Sequence, residues 1–200
     1  MSVLVHEFGH VAAMRLAGGA GQIVLTAFGG LAIPNVPGTH KRGNAIMVSA
    51  AGPLAQIALG LAIAGAVLAA GGAVHLAAGS SGVPFLQATL QGGEDTGSYY
   101  IHHAVNFLLY ISFFWSLLNL APVYPLDGGQ ITRSFLGFKP AIVISLIVAS
   151  VIALASFLNG NLFLGILFGW LAFSNVQTLI AAVRMTREEL LSRRDRANTT

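Results

Sequence analysis

Ala141-Ile-Val-Ile-Ser-Leu-Ile-Val-Ala-Ser-Val-Ile-Ala-Leu-Ala-Ser-Phe-Leu158 runs without one charged side chain. A helix that crosses about 30 Å of hydrocarbon needs about 20 mostly apolar residues. The stretch is slightly short for a span. Asn159-Gly160-Asn161 then makes a tight turn into a second apolar run at 161–183, so the two read as a helical hairpin. Toward the N-terminus, 104–122 and 45–72 have the same character. Met1–Ala17 is helical in pattern but too short, and it carries His6, Glu7 and His10. It has neither a basic n-region nor a small-residue cleavage site, which argues against a signal peptide. It reads as the second half of a span whose first half is missing. The expected fold is therefore all-α and membrane-integral, with about five transmembrane helices of which the first is truncated.

Composition agrees. The 200 residues are 55% hydrophobic and 8% charged, with a mean hydropathy of +0.75. A soluble domain carries about 25% charged residues, and a chain this apolar has no compositional reason to stay disordered. With no cysteine, disulfides, iron–sulfur clusters and thiolate zinc sites are excluded. Between the spans, Gly18–Asn44 is Gly/Pro-rich. There Gln22–Phe28 and Leu31–Ile33 read as short strands around Gly29-Gly30, a small β-hairpin after the first helix. Residues 73–103 are read as a loop with a short interfacial helix near Pro84–Gln91. After Val183 the chain turns polar and basic. The expected organisation is a membrane-embedded unit over 1–183, with a core at 1–135 and the helical hairpin at 141–183, followed by a basic tail at 184–200.

The basic residues report orientation. With alternating spans, Arg15, Lys41, Arg42, Arg133, Lys139, Arg184, Arg187, Arg193, Arg194 and Arg196 all fall on one side, and the other side holds only Glu94 and Asp95. The positive-inside rule makes the basic side, including the C-terminus, cytoplasmic. The sequence pI of 9.7 is thus a topological signal, and nucleic acid is not an expected partner. The bilayer is.

His6-Glu7-Phe8-Gly9-His10 carries the first chemistry. Residues four apart on a helix share a face, so both imidazoles can reach one Zn²⁺. Glu7 then lies beside the metal, where it can take a proton from bound water. Ionisable side chains within a spanning segment are costly and usually functional; the bland alternative is a polar patch at a helix end facing water. A catalytic zinc usually takes a third protein ligand and leaves one position open. Asp127 is the good candidate. It sits in Asn119-Leu-Ala-Pro122-Val-Tyr-Pro125-Leu-Asp127-Gly128-Gly129, where two prolines end the preceding helix and two glycines allow a sharp turn that aims the carboxylate inward. Alone, the segment reads as readily as a Pro/Gly loop with a solvated aspartate.

Together the two segments resemble the site-2 protease family, membrane-embedded zinc metalloproteases of the M50 type. That family pairs HExxH in one span with N-x-x-P-x-x-P-L-D-G in a later one. Gly29-Gly30-Leu31-Ala32 and Ala51-Gly52-Pro53 are similar to its glycine-rich hairpin and the start of its middle core helix. The resemblance covers roughly residues 1–135. It implies one zinc per chain held by His6, His10 and Asp127, with Glu7 as general base and Asn119 as a polar partner of the substrate or the developing oxyanion. Members usually carry more apolar sequence before HExxH, which implies that an N-terminal helix is lacking here. Gln56 stands where a smaller amide is expected.

The implied activity is intramembrane endoproteolysis of transmembrane protein substrates, in a membrane of bacterial plasma-membrane type with the active site toward the cytoplasm. A helical peptide bond in lipid is already hydrogen-bonded, so the substrate must unwind. Leu25, Thr26, Ala27 and Phe28 are the expected strand edge for its docking by β-addition. The rival readings are a catalytically silent relative that binds membrane proteins, and a metal transporter. A transporter needs a polar path through both leaflets, and 141–158 and 161–183 offer no charged residue.

Weaker features have bland explanations. His75, His102 and His103 read as interfacial, and His40 as a solvated loop residue. Gly52, Gln56, Gly60 and Ala64 form a stripe of mostly small residues, and Gly165-Ile-Leu-Phe-Gly169 is a GxxxG. Close helix packing is the default for both, and a homodimer through these faces is the sharper alternative.

Overall fold

The computed structural model describes residues 1–19, 21–26, 29–34, 42–78, 84–90 and 96–198. Helix α1 (Ser2–Leu16) leads into an antiparallel hairpin of β1 (Gly21–Thr26) and β2 (Gly29–Pro34). Helix α2 (Arg42–Ala69) follows, then a second antiparallel hairpin, β3 (Ala73–Ala78) with β4 (Pro84–Thr89). The rest is helical: α3 (Thr96–Asn119), α4 (Asp127–Leu136), α5 (Phe138–Leu158) and α6 (Leu162–Asn198). Packing runs largely in chain order, α1 on α2, α2 on α3, α4 on α5 and α5 on α6, with α4 also laid against α2.

Four helices are long and apolar enough to cross a membrane: Arg42–Ala69, Tyr99–Asn119, Phe138–Leu158 and Leu162–Met185. The expected five becomes four because α1 has 15 residues, a rise of only about 22 Å. The spanning helices bury many small and polar side chains and expose most of their large apolar ones. Gly52, Gly60, Ser112, Ser116, Ala141, Ser145, Ala149 and Ala153 are buried, whereas Leu61, Leu68, Phe107, Ile147, Leu154, Ile166 and Phe173 are exposed. In water that pattern would be inverted. In lipid, helices gain nothing by hiding leucine from an equally apolar solvent, and small residues let backbones approach. The molecule is an integral membrane protein.

Three local expectations are corrected. Pro84–Gln91 is not helical, since Pro84–Thr89 is strand β4, in register with β3 from Ala78↔Pro84 to Ala73↔Thr89. A helix that short gains little from its own hydrogen bonds. Pairing with β3 satisfies the backbone on one edge, and on α3 the Asn106 side chain accepts from Ala88 N (2.7 Å) and donates to Ala88 O (3.0 Å). The first hairpin is as expected in kind but shifted. Gly29 and Gly30 belong to β2, opposite Thr26 and Leu25, and are not its turn. Finally, Asp127 is not on an open loop. It opens α4, a helix with no counterpart in the sequence reading.

The hairpin at Asn159-Gly160-Asn161 is built as expected. Gly160 takes φ 73°, a left-handed conformation natural to glycine, and the Asn161 carboxamide oxygen accepts from Leu164 N at 3.2 Å at the start of α6. Leu118 of α3, Val123, Ala149 and Ala153 of α5, and Phe168, Leu171 and Ala172 of α6 form one buried apolar cluster. The segment between α3 and α4 is therefore seated on the α5–α6 hairpin. Helix α6 continues without a break through the polar sequence after Val183.

Candidate metal centre

His6 and His10 lie one turn apart on α1, and both are buried. The helix can lie close to α2 because two contact positions lack a Cβ. A Cβ on Gly9 would meet the Ala51 carbonyl oxygen, and one on Gly52 would stand in the His10 ring. At this spacing His10 Nδ1 reaches the Val48 carbonyl at 2.7 Å. A carbonyl only accepts, so Nδ1 carries the proton.

His6 is held through a side chain. Its Nδ1 lies 3.1 Å from Gln56 Oε1, and Gln56 is fully buried. The carboxamide of Gln56 has a defined orientation, because its Nε2 faces the Ile111 carbonyl (3.4 Å) and Ser2 Oγ (2.8 Å). Its oxygen also accepts from Ser116 Oγ at 3.1 Å, and Ser2 Oγ lies 2.9 Å from Ser112 Oγ. A buried polar network thus joins α1, α2 and α3 beneath His6. With both Nδ1 atoms donating, each neutral imidazole presents its Nε2 lone pair on the other side.

Those lone pairs converge on Asp127. His6 Nε2 is 3.1 Å from Asp127 Oδ2, His10 Nε2 is 3.4 Å from Oδ1, and the two Nε2 atoms are 3.1 Å apart. The candidate ligand atoms of all three residues lie within 4.8 Å of one another. Three lone-pair-bearing groups this close repel unless a cation or a shared proton sits among them. Two imidazoles and one carboxylate suit a zinc site that keeps a position open, so the donor set fits that metal.

Asp127 reaches the histidines because α4 starts hard against the preceding segment. A Cβ on Gly128 would fall on the carbonyl oxygens of Leu120 and Ala121, and one on Gly129 would fall on Tyr124 N and Val123 C. These neighbours are backbone and cannot rotate away. The two glycines serve close approach, rather than the sharp turn inferred from sequence.

Residues 1–158 match the model of peptidase family M50. The chain belongs to that family. No curated protein matches it. Family membership supports a membrane peptidase of metallo type, and M50 peptidases are zinc metalloproteases. The match covers α1 to α5 and stops before α6.

The other expected site residues are more scattered. Glu7 follows His6 on α1, is 6% exposed, and lies within electrostatic reach of His6, His10 and Asp127. Asn119 is the last residue of α3, half-buried, and its side-chain nitrogen donates back to Trp115 O at 3.0 Å. Leu25 and Thr26 lie in β1, paired with Gly30 and Gly29, and the hairpin packs against α1. Ala27 and Phe28 fall outside the described residues. Gln56, Ser2, Ser112 and Ser116 are site residues that the sequence motifs do not single out. The available signal was Gln56 itself, a polar residue within the small-residue stripe of a spanning helix. Gly52, Gln56 and Gly60 of that stripe are buried within this one chain; the Gly60 Cβ position faces the Phe113 ring of α3.

Proposed function

We propose that the protein is an intramembrane zinc metalloendopeptidase that hydrolyses peptide bonds within or near transmembrane segments of other membrane proteins. One observation carries the reading: two Nδ1-protonated imidazoles and a carboxylate, from helices remote in sequence, approach to 3.1–3.4 Å beside a buried glutamate. His6, His10 and Asp127 would hold one zinc ion. When bound, zinc supplies Lewis acidity that acidifies water and polarises a carbonyl.

The chain's own groups do the rest. Gln56 and Val48 O keep both rings in the tautomer that offers Nε2. Glu7 takes a proton from the attacking water onto its carboxylate and returns it to the leaving amine. Asn119, at the end of α3, is assigned to the substrate carbonyl or the oxyanion it becomes. Leu25–Phe28 are assigned to substrate docking from the sequence; for Leu25 and Thr26 the support is that each strand of a two-stranded sheet keeps one edge unpaired within that sheet. Residues 1–183 constitute the membrane-embedded peptidase in this reading and 184–200 a basic tail on the cytoplasmic side, which is also the side of the active site.

The test compares wild type with Glu7→Gln on a single-span reporter, with zinc counted in both. Expected are cleavage by wild type, loss of it on chelation and recovery with zinc, and a variant that keeps zinc but does not cut. A wild type that binds zinc and leaves every single-span reporter intact would point to the silent relative. Zinc flux into sealed vesicles without cleavage would point to the transporter.

A further inference from the structure

We propose that Ser145 of α5 and Asn175 of α6 are positioning residues for Asp127, acting by gripping both backbone polar groups of Tyr124. The inference rests on the reading of Asp127 as a zinc ligand and extends the catalytic unit to a helix outside the matched residues 1–158.

The connection is mechanical. Tyr124 N donates to Ser145 Oγ at 2.9 Å, and Asn175 Nδ2 donates to Tyr124 O at 2.7 Å. One peptide segment is thereby pinned from two helices. Each gripping group is itself anchored: Ser145 Oγ donates to Ala141 O at 2.7 Å, and Asn175 Nδ2 donates to Leu171 O at 2.8 Å. Directly before Tyr124, Val123 is fully buried in the cluster shared with α5 and α6. Shortly after the pinned peptide, the first turn of α4 rests on it, because a Cβ on Gly129 would clash with Tyr124 N and Val123 C. A shift of Tyr124 must therefore shift the start of α4, where Asp127 stands.

Asn175 is a poor choice for stability alone. It is 1% exposed. Both protons of its Nδ2 face carbonyls, which only accept, so the amide orientation is forced. Its Oδ1 is then left buried without a partner among the described residues. An unpaired buried acceptor is costly, and leucine would fill the position more cheaply. What asparagine adds is a donor to the one carbonyl that sits three residues before the carboxylate.

The experiment is zinc titration of the full chain in detergent against a chromophoric chelator, at metal concentrations that also load the two imidazoles left in Asp127→Ala. Asn175→Leu should weaken zinc binding about tenfold, toward the lower end of what lost outer contacts cost a metal site. It should have no effect when made in the Asp127→Ala chain, because the effect passes through that carboxylate. Asn175→Asp keeps the volume but sets an acceptor against Tyr124 O, so it should weaken binding at least as much; Ser145→Ala should act in the same direction. Thermal melting verifies that each variant is folded, and Asn175→Asp with Ser145→Ala decides the matter if the leucine variant is not. Equal weakening with and without Asp127 would reduce Asn175 to a general structural role and overturn the proposal. Unchanged affinity in the folded variants would overturn it too. If Asp127→Ala alone binds zinc as tightly as wild type, the ligand reading itself fails and takes this inference with it.

Discussion

The two halves of the candidate centre are held by opposite means. On the α1–α3 side, His6 and His10 come from one helical turn, and each is oriented by a hydrogen bond that its own Nδ1–H donates, to Gln56 Oε1 or to the Val48 carbonyl. On the α4–α6 side, Asp127 stands at a helix start whose position is set by backbone contact at Gly128 and Gly129 and by the seating of residues 120–126 on the last hairpin. The first half is built by side-chain chemistry at fixed sequence spacing. The second is built by packing, so its residue types say little until the chain is folded.

If the halves contribute equally to metal binding, removing a ligand from either should have the same consequence. His10→Ala and Asp127→Ala are both expected to reduce reporter cleavage by at least about 10³-fold and to leave zinc well below one ion per chain by elemental analysis. Full activity in either variant would break the symmetry of the comparison and the ligand assignment with it.

Next in size are the close approaches. Gly128→Ala should destabilise the fold by about 1–3 kcal/mol, the usual cost of overpacking, because the Leu120 and Ala121 carbonyls cannot move aside. Gly52→Ala faces the His10 ring instead, a side chain that can swing away. It should melt closer to wild type while losing more zinc. A Gly52→Ala chain that keeps its zinc would show that His10 is not held where the structure has it.

Removing the polar support under His6 is expected to have a smaller effect. Gln56→Leu leaves His6 Nδ1 without its acceptor and removes one of the two partners of Ser2 Oγ, whereas Ser116 keeps its bond to Ser112 O. It should weaken zinc binding about 10- to 100-fold, with a thermal shift reflecting about 1–3 kcal/mol. Gln56→Asn, with the shorter amide, should recover part of the affinity; full recovery would imply that α1 and α2 can close further. The smallest effect is expected at Gly169, where an added Cβ would meet nothing within 4 Å. Gly169→Ala should change cleavage and melting by less than about 0.5 kcal/mol, and a clear loss would mean that another molecule covers this face of α6.

The limits of the sequence reading follow the same division. Spans were legible because apolar length is a one-dimensional property, and 141–158 announces itself without knowledge of its neighbours. The count differs at α1, whose 15 described residues are fewer than a crossing needs. The β3–β4 hairpin was missed because Ala73–Ala78 and Pro84–Thr89 have weak patterns alone and become strands by pairing with each other. His6, Glu7 and His10 could be singled out by helical periodicity, and Asp127 through its Pro/Gly setting and the family resemblance. Gln56 was visible as an odd polar residue without a role, and Ser145 and Asn175 gave no signal at all. A serine or asparagine in a spanning helix has many uses, and only the approach of Tyr124 selects one.

Sequence by itself determined that this chain belongs in a bilayer, and that the imidazoles of residues 6 and 10 share a helical face, because transfer energy and helical pitch act locally along the chain. Only the tertiary structure decided that the carboxylate of residue 127 meets those imidazoles and that a glutamine orients one of them. Those relations depend on which backbones can approach closely, and the glycines that permit the approach reveal their partners only in the folded molecule.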